Sequence, residues 1–202
     1  MEKGSILEKP SRRRQAQFLA AVKKSKRLHA GWVSPPQTPD AFEAYLKRVR
    51  GKAHLGYWIV TEDRELAGVI NVSEIVRGAF CSGYLGYYAF VPHDGQGYMT
   101  RGLAAVLADV FRVHRLHRVE ANIQPGNEDS RVLVQRLGFR REGSSPRYLK
   151  IAGRWRDHER WALTVEDWKA KPRKPDNTAL QADERRVSYG GRRQRDPRAA
   201  RG

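Results

Sequence analysis

The chain holds one cysteine, Cys81, in 202 residues. That excludes an intrachain disulfide and a cysteine-built metal site, and it suits a reducing, cytoplasmic setting. Long hydrophobic runs are also missing: no stretch approaches the ~18–20 apolar residues of a membrane span. The start, Met1-Glu2-Lys3-Gly4-Ser5, lacks the apolar run of a secretory signal. No membrane partner is expected. No His/Cys/Asp/Glu cluster has metal-ligand spacing, so no metal is expected either. Acidic residues are scarce, with 22 Asp and Glu against 39 Lys and Arg, a formal net charge of +17. Such a field favours anionic partners and says nothing of fold.

The basic excess is steepest at the end. Residues 169–202 run Lys169-Ala170-Lys171-Pro172-Arg173-Lys174-Pro175-Asp176-Asn177 and continue through Arg185, Arg186, Arg192, Arg193, Arg195, Arg198 and Arg201. With few large apolar residues to offset the ordering entropy, this segment is expected to be a disordered tail. It reads either as a solvated appendage or as an arm that grips nucleic-acid phosphates. The expected folded domain is 1–168.

Within that domain the apolar period changes twice. Ile6–Pro10 suggests a short strand, and Gln17–His29 and Asp40–Val49 carry helical spacing, separated by a segment with Pro35, Pro36 and Pro39 that forbids helix. Tyr57–Thr61, Leu66–Val76 and Phe80–Val91 are rich in β-branched and aromatic residues and predict three antiparallel strands. From Tyr98 to Leu116 the apolar positions Leu103, Val106, Leu107, Val110 and Phe111 mark one face of a long helix. Arg118–Ile123 returns to strand chemistry, and Asn127–Leu137 predicts a shorter helix closed by Gly138. Phe139–Arg141, Tyr148–Ile151 and Trp155–Thr164 complete the strands. The fold class is α/β: a mixed, mostly antiparallel sheet around a central βαβ unit, with no repeats and a single core.

The junction before the long helix carries the chemistry. A strand ends, and Asp94-Gly95-Gln96-Gly97-Tyr98-Met99-Thr100 turns into the helix start. Unpaired N–H groups and the positive end of the helix dipole meet there, a ready phosphate site. Gly95 and Gly97 let the backbone approach an anion. A dinucleotide fingerprint is excluded because Thr100 stands where its third glycine belongs. The Gly-Lys-Ser/Thr of a P-loop is absent as well.

The same run resembles the signature of the GNAT superfamily of acetyltransferases, most strongly its ribosomal-protein-alanine N-acetyltransferase group. The likeness spans nearly all of Ile6–Trp168. It rests on Ser34-Pro35-Pro36-Gln37-Thr38-Pro39-Asp40-Ala41-Phe42, Gly86-Tyr87-Tyr88, Gly95-Gln96-Gly97-Tyr98-Met99-Thr100, His117-Arg118-Val119-Glu120-Ala121, Asn127-Glu128-Asp129-Ser130, Leu137-Gly138-Phe139 and Gly153-Arg154-Trp155-Arg156-Asp157-His158. The resemblance implies acetyl-CoA as cosubstrate and a GNAT-like acyl-CoA N-acyltransferase fold. Gly95, Gln96, Gly97, Tyr98, Met99 and Thr100 would hold the pyrophosphate. Phe90 and Val91 would meet the pantetheine arm where two strands diverge, with Asn127 at the next helix start.

Acetyl transfer to an amine needs a neutral nucleophile, a stabilised oxyanion and a proton for the departing thiolate. Many members of the superfamily place a tyrosine as proton donor on the helix before Leu-Gly-Phe; the matching residue here is Val134. Ser130, whose counterpart in the ribosomal group is proposed to contact the thiol, is the replacement, with helix capping as its alternative role. Strand N–H groups near Phe90 are candidates for the oxyanion. Glu120, on a strand facing the cleft, is the first candidate for general base; a salt bridge to a neighbouring arginine is its alternative role. His158 and Asp157 are weaker candidates, and His114 and His117 read as structural. A modest base suits an α-amine, whose pKa is about 7.7–8.0, better than a lysine, whose neutralisation costs about 3 kcal/mol more. The expected acceptor is a protein N-terminus, a ribosomal protein in the resembling group, with ribosomal RNA contacted through the basic tail. A small amine as acceptor, or a catalytically silent RNA-binding protein, are the alternatives.

Overall fold

The computed structural model describes residues 5–170. Its strands are β1 (Ser5–Glu8), β2 (Leu55–Thr61), β3 (Leu66–Val76), β4 (Ser82–Ala89), β5 (Arg118–Ile123), β6 (Arg140–Ile151) and β7 (Arg154–Thr164). The helices are α1 (Gln15–Lys24), α2 (Lys26–His29), α3 (Pro39–Val49), α4 (Tyr98–Arg112), α5 (Glu128–Arg136) and α6 (Val165–Ala170), with a 3₁₀ turn at Arg12–Arg14. The strands form one sheet in the order β1-β2-β3-β4-β5-β7-β6. Every neighbouring pair is antiparallel except β4 and β5, which are parallel and joined through α4. This is the expected mixed α/β sheet with its βαβ unit.

Two apolar clusters flank the sheet, where the sequence suggested one core. Strand alternation divides β2 between them. Tyr57 and Ile59 join the long face of α4 (Leu103, Val106, Leu107, Val110, Phe111) in the first cluster. Trp58 and Val60 join Phe18 of α1 and Phe42, Tyr45 and Leu46 of α3 in the second. The second cluster is largely aromatic: the Phe18 ring lies 5.0 Å from Phe42 and 5.6 Å from Trp58. A strand with both faces covered reads as a continuous apolar run, and β2 does.

Three local expectations change. The first helix breaks at Ser25, at φ −92° and ψ 10°, into α1 and α2, and the Ser25 hydroxyl accepts the Val91 N–H at 3.0 Å. The two strands expected at Phe139–Arg141 and Tyr148–Ile151 are one strand, β6, which begins at Arg140 and whose register against β7 shifts twice. At the second shift Arg147, at φ 48°, donates its N–H to Asp157 Oδ1 at 2.7 Å, so a side chain replaces the missing ladder bond. Strand β4 spans Ser82–Ala89 rather than Phe80–Val91. Helix α6 was not anticipated; its Trp168 ring packs 5.4 Å from Phe111 of α4. Residues 171–202, the greater part of the expected tail, lie outside the described residues.

Candidate active site

Strands β4 and β5 pair from Ser82↔Arg118 to Leu85↔Ala121 and no further. Beyond that point β4 continues to Ala89 with β3 on one side only. The Phe90 N–H donates to Ala67 O at 2.9 Å, on the β3 side. By strand alternation the main-chain groups of Tyr87 and Ala89 therefore point the other way, into the gap toward β5. This corrects the expectation for Phe90. Its ring is fully buried, its N–H is engaged by Ala67, and its carbonyl accepts the His93 N–H at 2.9 Å. Neither an oxyanion nor a pantetheine arm finds a free amide there. The Val91 N–H does lie on the gap side, but Ser25 Oγ holds it. Tyr87 and the Ala89 N–H supply the open edge one step earlier in the chain, the Ala89 carbonyl being held by His29 Nε2 at 2.8 Å.

The glycine turn leads into α4 with Gly97 at its N-cap, φ 79°, and Gly95 at φ 69°. No side chain caps the helix. Its first backbone bond to the turn runs from Arg101 N–H to Gly97 O, which leaves the Tyr98, Met99 and Thr100 amides without a backbone acceptor among the described residues. Unlike α3, α5 and α6, α4 has no acidic residue in its first turn. Instead it has Arg101, a residue the sequence reading passed over. The guanidinium lies 4.8 Å over the Tyr98 ring, and its Nε and one Nη are buried without a hydrogen-bond partner. A cation at a helix N-terminus is opposed by the dipole unless an anion joins it. Unpaired amides, helix dipole and an unpartnered guanidinium together fit a diphosphate. The side chains of Tyr98 and Met99 do other work. Tyr98 is buried in the first cluster, and the Met99 sulfur packs where a Cβ on Gly68 would sit. Gln96 Nε2 ties the turn by donating to Pro92 O at 2.5 Å.

A cleft opens at the gap, lined by Trp32, Gly86, Tyr87, Asn122, Gln124, Asn127, Ser130 and His158, among others. Asn127 caps α5, its side chain accepting the Ser130 N–H at 3.2 Å. Ser130 stands on the cleft wall, its side chain within hydrogen-bonding reach of the Tyr87 phenol. One turn further, Val134 is fully buried in the first cluster. The nearest phenol comes instead from Tyr87, which donates to the Ser130 carbonyl at 3.5 Å. Burial pushes the Tyr87 phenol up to about 12, so it keeps its proton at neutral pH.

Glu120 stands opposite Tyr84 in the paired part of β5, short of the gap. Its carboxylate accepts from Arg118 Nε at 2.8 Å, and Arg118 also grips Glu142. The guanidinium holds Glu142 below its ordinary range, and the two carboxylates raise Arg118 above its own. Glu120 is thus a member of an ion-pair network. His158 is almost fully buried and its Nδ1 lies 2.9 Å from Arg156 O. His114 and His117 meet Asp109 and Glu166 at 3.3 and 3.2 Å, away from the cleft lining. Among the described residues no group of three or more His, Cys, Asp and Glu could hold a metal ion.

Comparison with known proteins agrees with this geometry. The family profile described as "Acetyltransferase (GNAT) domain" matches residues 6–140. The [ribosomal protein uS5]-alanine N-acetyltransferase of Escherichia coli is 43% identical over 107 residues, 53% of this chain and 55% of that protein, so the match spans about half the length of that curated relative. Among solved structures, Mycobacterium smegmatis RimJ in complex with CoA-disulfide superposes with a TM-score of 0.75 at 25% identity, covering 89% of each chain. Spermidine N-acetyltransferase from Vibrio cholerae, in complex with CoA and spermine, gives 0.70 at 19% identity over 82% of this chain and 98% of its own; that likeness is one of fold alone. A profile that spans most of the described residues, set on a sheet split between β4 and β5, places this chain in the GNAT acetyltransferase family.

Proposed function

We propose that the chain is an acetyl-CoA-dependent N-acetyltransferase acting on a protein N-terminal α-amine, of the ribosomal-protein-alanine type. The observation that carries this reading is the gap that opens past Leu85 and Ala121 beside the uncapped start of α4. Acetyl-CoA, when bound, supplies an activated acetyl thioester. The turn Gly95–Thr100 and Arg101 hold its diphosphate, and the β4 edge at Tyr87 and Ala89 pairs with the amides of its pantetheine arm. Asn127 fixes the start of α5 so that Ser130 reaches the thiol. Among the described residues no Asp or Glu lines the cleft, which favours an amine that is already partly neutral near pH 7–8. The resemblance to the uS5-alanine enzyme over about half its length supports the choice of acceptor.

No helix among the described residues is long and apolar enough to cross a membrane. A cytoplasmic setting and a ribosomal RNA contact through residues 169–202 belong to the same proposal. Like-charged enzyme and free ribosomal protein repel one another, so the substrate is met on a ribosomal particle whose RNA attracts the tail. Truncation after Trp168 is expected to weaken particle binding and flatten its salt dependence, with acetyl-CoA affinity unchanged; unaltered particle binding refutes the tail's part. The function itself is tested by offering peptides with free N-termini, and small polyamines in parallel. Acetylated N-termini support the proposal. Acetylated polyamine alone moves the acceptor to a small amine, and coenzyme A binding with no thiol release on any amine identifies a silent member of the fold.

A further inference from the structure

We infer that Asn122 and His158 form the acceptor-amine station of the cleft: Asn122 Oδ1 takes one N–H of the incoming amine, and His158 Nε2 takes the proton of its ammonium form. The inference rests on the acetyl-transfer reading above and adds the residues that receive the nucleophile.

Asn122 faces His158's strand on β5, opposite Arg160, so Asn122 and His158 project from the same face of the sheet as diagonal neighbours. Both line the cleft. Asn122 Oδ1 is buried and has no hydrogen-bond partner among the described residues. An unpaired buried acceptor is costly, about 1–3 kcal/mol, and it selects a ligand that brings a donor. An amine or ammonium brings two or three. His158 supplies the complementary function. A carbonyl oxygen only accepts, so the contact of Nδ1 with Arg156 O at 2.9 Å requires the hydrogen on Nδ1. In the neutral ring the lone pair is then on Nε2. Nε2 has no partner among the described residues, and the ring is only 3% exposed, so bulk water competes little for it.

The surrounding charges leave His158 as the available base. On its own strand, the Asp157 carboxylate accepts from the Arg147 amide, and Arg156 and Arg160 are cations. From β6 the Tyr148 ring stands 6.2 Å away. From β5, Glu120 shares the face but is bound by Arg118. From β4, the Tyr84 phenol is raised by burial, with Glu120 and Tyr148 adding to the effect, and the Tyr87 phenol is raised by burial. The Glu159 carboxylate faces the opposite side, where Trp161, Arg131 and Arg141 hold it.

His158 Nε2 accepts one proton from R–NH₃⁺, freeing the nitrogen lone pair. The nitrogen bonds the thioester carbonyl carbon, and the carbon–sulfur bond breaks. The second proton leaves nitrogen and ends on sulfur, giving amide and free thiol, and His158 releases its proton to solvent.

Three measurements on the full chain decide the matter. In His158→Gln, kcat/KM for an N-terminal peptide is expected to fall about 10²-fold at pH 7. The ratio of wild type to variant should shrink as pH rises past about 8, where the α-amine is already neutral. Coenzyme A affinity should be unchanged. A pH-independent ratio, or the same pH-dependent loss in Glu120→Gln with none in His158→Gln, overturns the inference. In Asn122→Ala, the amine KM should rise about 10-fold, as expected for a lost hydrogen bond worth ~1.4 kcal/mol. A rise in the coenzyme A Kd with the amine KM unchanged reassigns Asn122 to the cosubstrate and overturns its part. Independently of turnover, ¹⁵N spectra of histidine-labelled protein should show an unprotonated Nε2 on His158 that shifts on titration with peptide amine. A protonated Nε2, or a ring blind to the peptide, contradicts it. If wild type turns over no amine, the acetyl-transfer reading fails, and the spectra still report whether this station receives an amine.

Discussion

The Ser25 hydroxyl accepts the Val91 N–H at 3.0 Å, across 66 residues of sequence and at the break between α1 and α2. One helical turn later, His29 Nε2 donates to Ala89 O at 2.8 Å. The two bonds take main-chain groups on the gap side of β4 and so bound its open edge. What is left for a ligand is a short stretch, the main-chain groups of Tyr87 and the Ala89 N–H. An apparent irregularity in the first helix therefore sets the length of the edge on which the pantetheine arm is proposed to lie.

The His29 bond makes stability depend on pH. The ring is buried, Nδ1 has no partner, and burial holds its pKa below the usual 6.5, with the Ala89 bond opposing. A depressed histidine contributes stability that is complete above the unfolded pKa and is lost as pH falls through the folded one, because the unfolded chain binds the extra proton. Thermal melts between pH 7.5 and 5.5 should show a falling midpoint. His29→Gln should lose part of that slope and about 1 kcal/mol at pH 7.5. An unchanged slope removes His29 from the linkage.

Helix α4 approaches the sheet closely at Gly102. A Cβ there would lie 2.4 Å from Ile59 Cδ1 and 2.6 Å from its Cγ1. Gly102→Ala is expected to cost about 1–3 kcal/mol through overpacking, despite alanine's better helix propensity, and denaturant midpoints read the loss. A stabilised variant would mean that Ile59 yields freely.

Arg101→Gln separates the diphosphate site from the rest of the cleft. A charge-assisted bond is worth about 1.5–3 kcal/mol, so coenzyme A binding should weaken roughly 10- to 100-fold. Affinity for pantetheine, which lacks the diphosphate, should not change. Equal losses for both ligands place Arg101 in a purely structural role.

Ser130→Ala is expected to lower kcat about 10²-fold, the low end of general acid catalysis, with KM for the peptide little affected. Tyr87→Phe should fall by less, since its hydroxyl contacts Ser130 and supports it rather than serving as the donor itself. If the order is reversed, the phenol is the proton donor in place of Val134's missing hydroxyl.

The parts of the fold governed by local periodicity were legible in the sequence. Leu103 to Phe111 mark the α4 face, and the glycine turn before Tyr98 marks the anion site. What escaped depended on long-range partners. Nothing local to Ser25 announces a bond to Val91. The resemblance puts Phe90 at the pantetheine arm, whereas the phase of the strand end is fixed by the Ala67 bond, which no local pattern shows. Glu120 has the chemistry of a base, yet Arg118, two residues away on the same face, binds it. Asn122 continues that alternation and could have been found by counting twos from Glu120. Arg101 was one turn past Gly97, within reach of the turn already singled out.

The central claim is that the α4 start and the β4–β5 gap hold coenzyme A, and calorimetric titration of the full chain with coenzyme A tests it most directly. The account predicts saturable one-to-one binding with Kd between roughly 1 μM and 1 mM, weakened by added salt as expected for a charged ligand and by Arg101→Gln. An absence of heat at millimolar coenzyme A, or binding indifferent to both salt and Arg101, would contradict it.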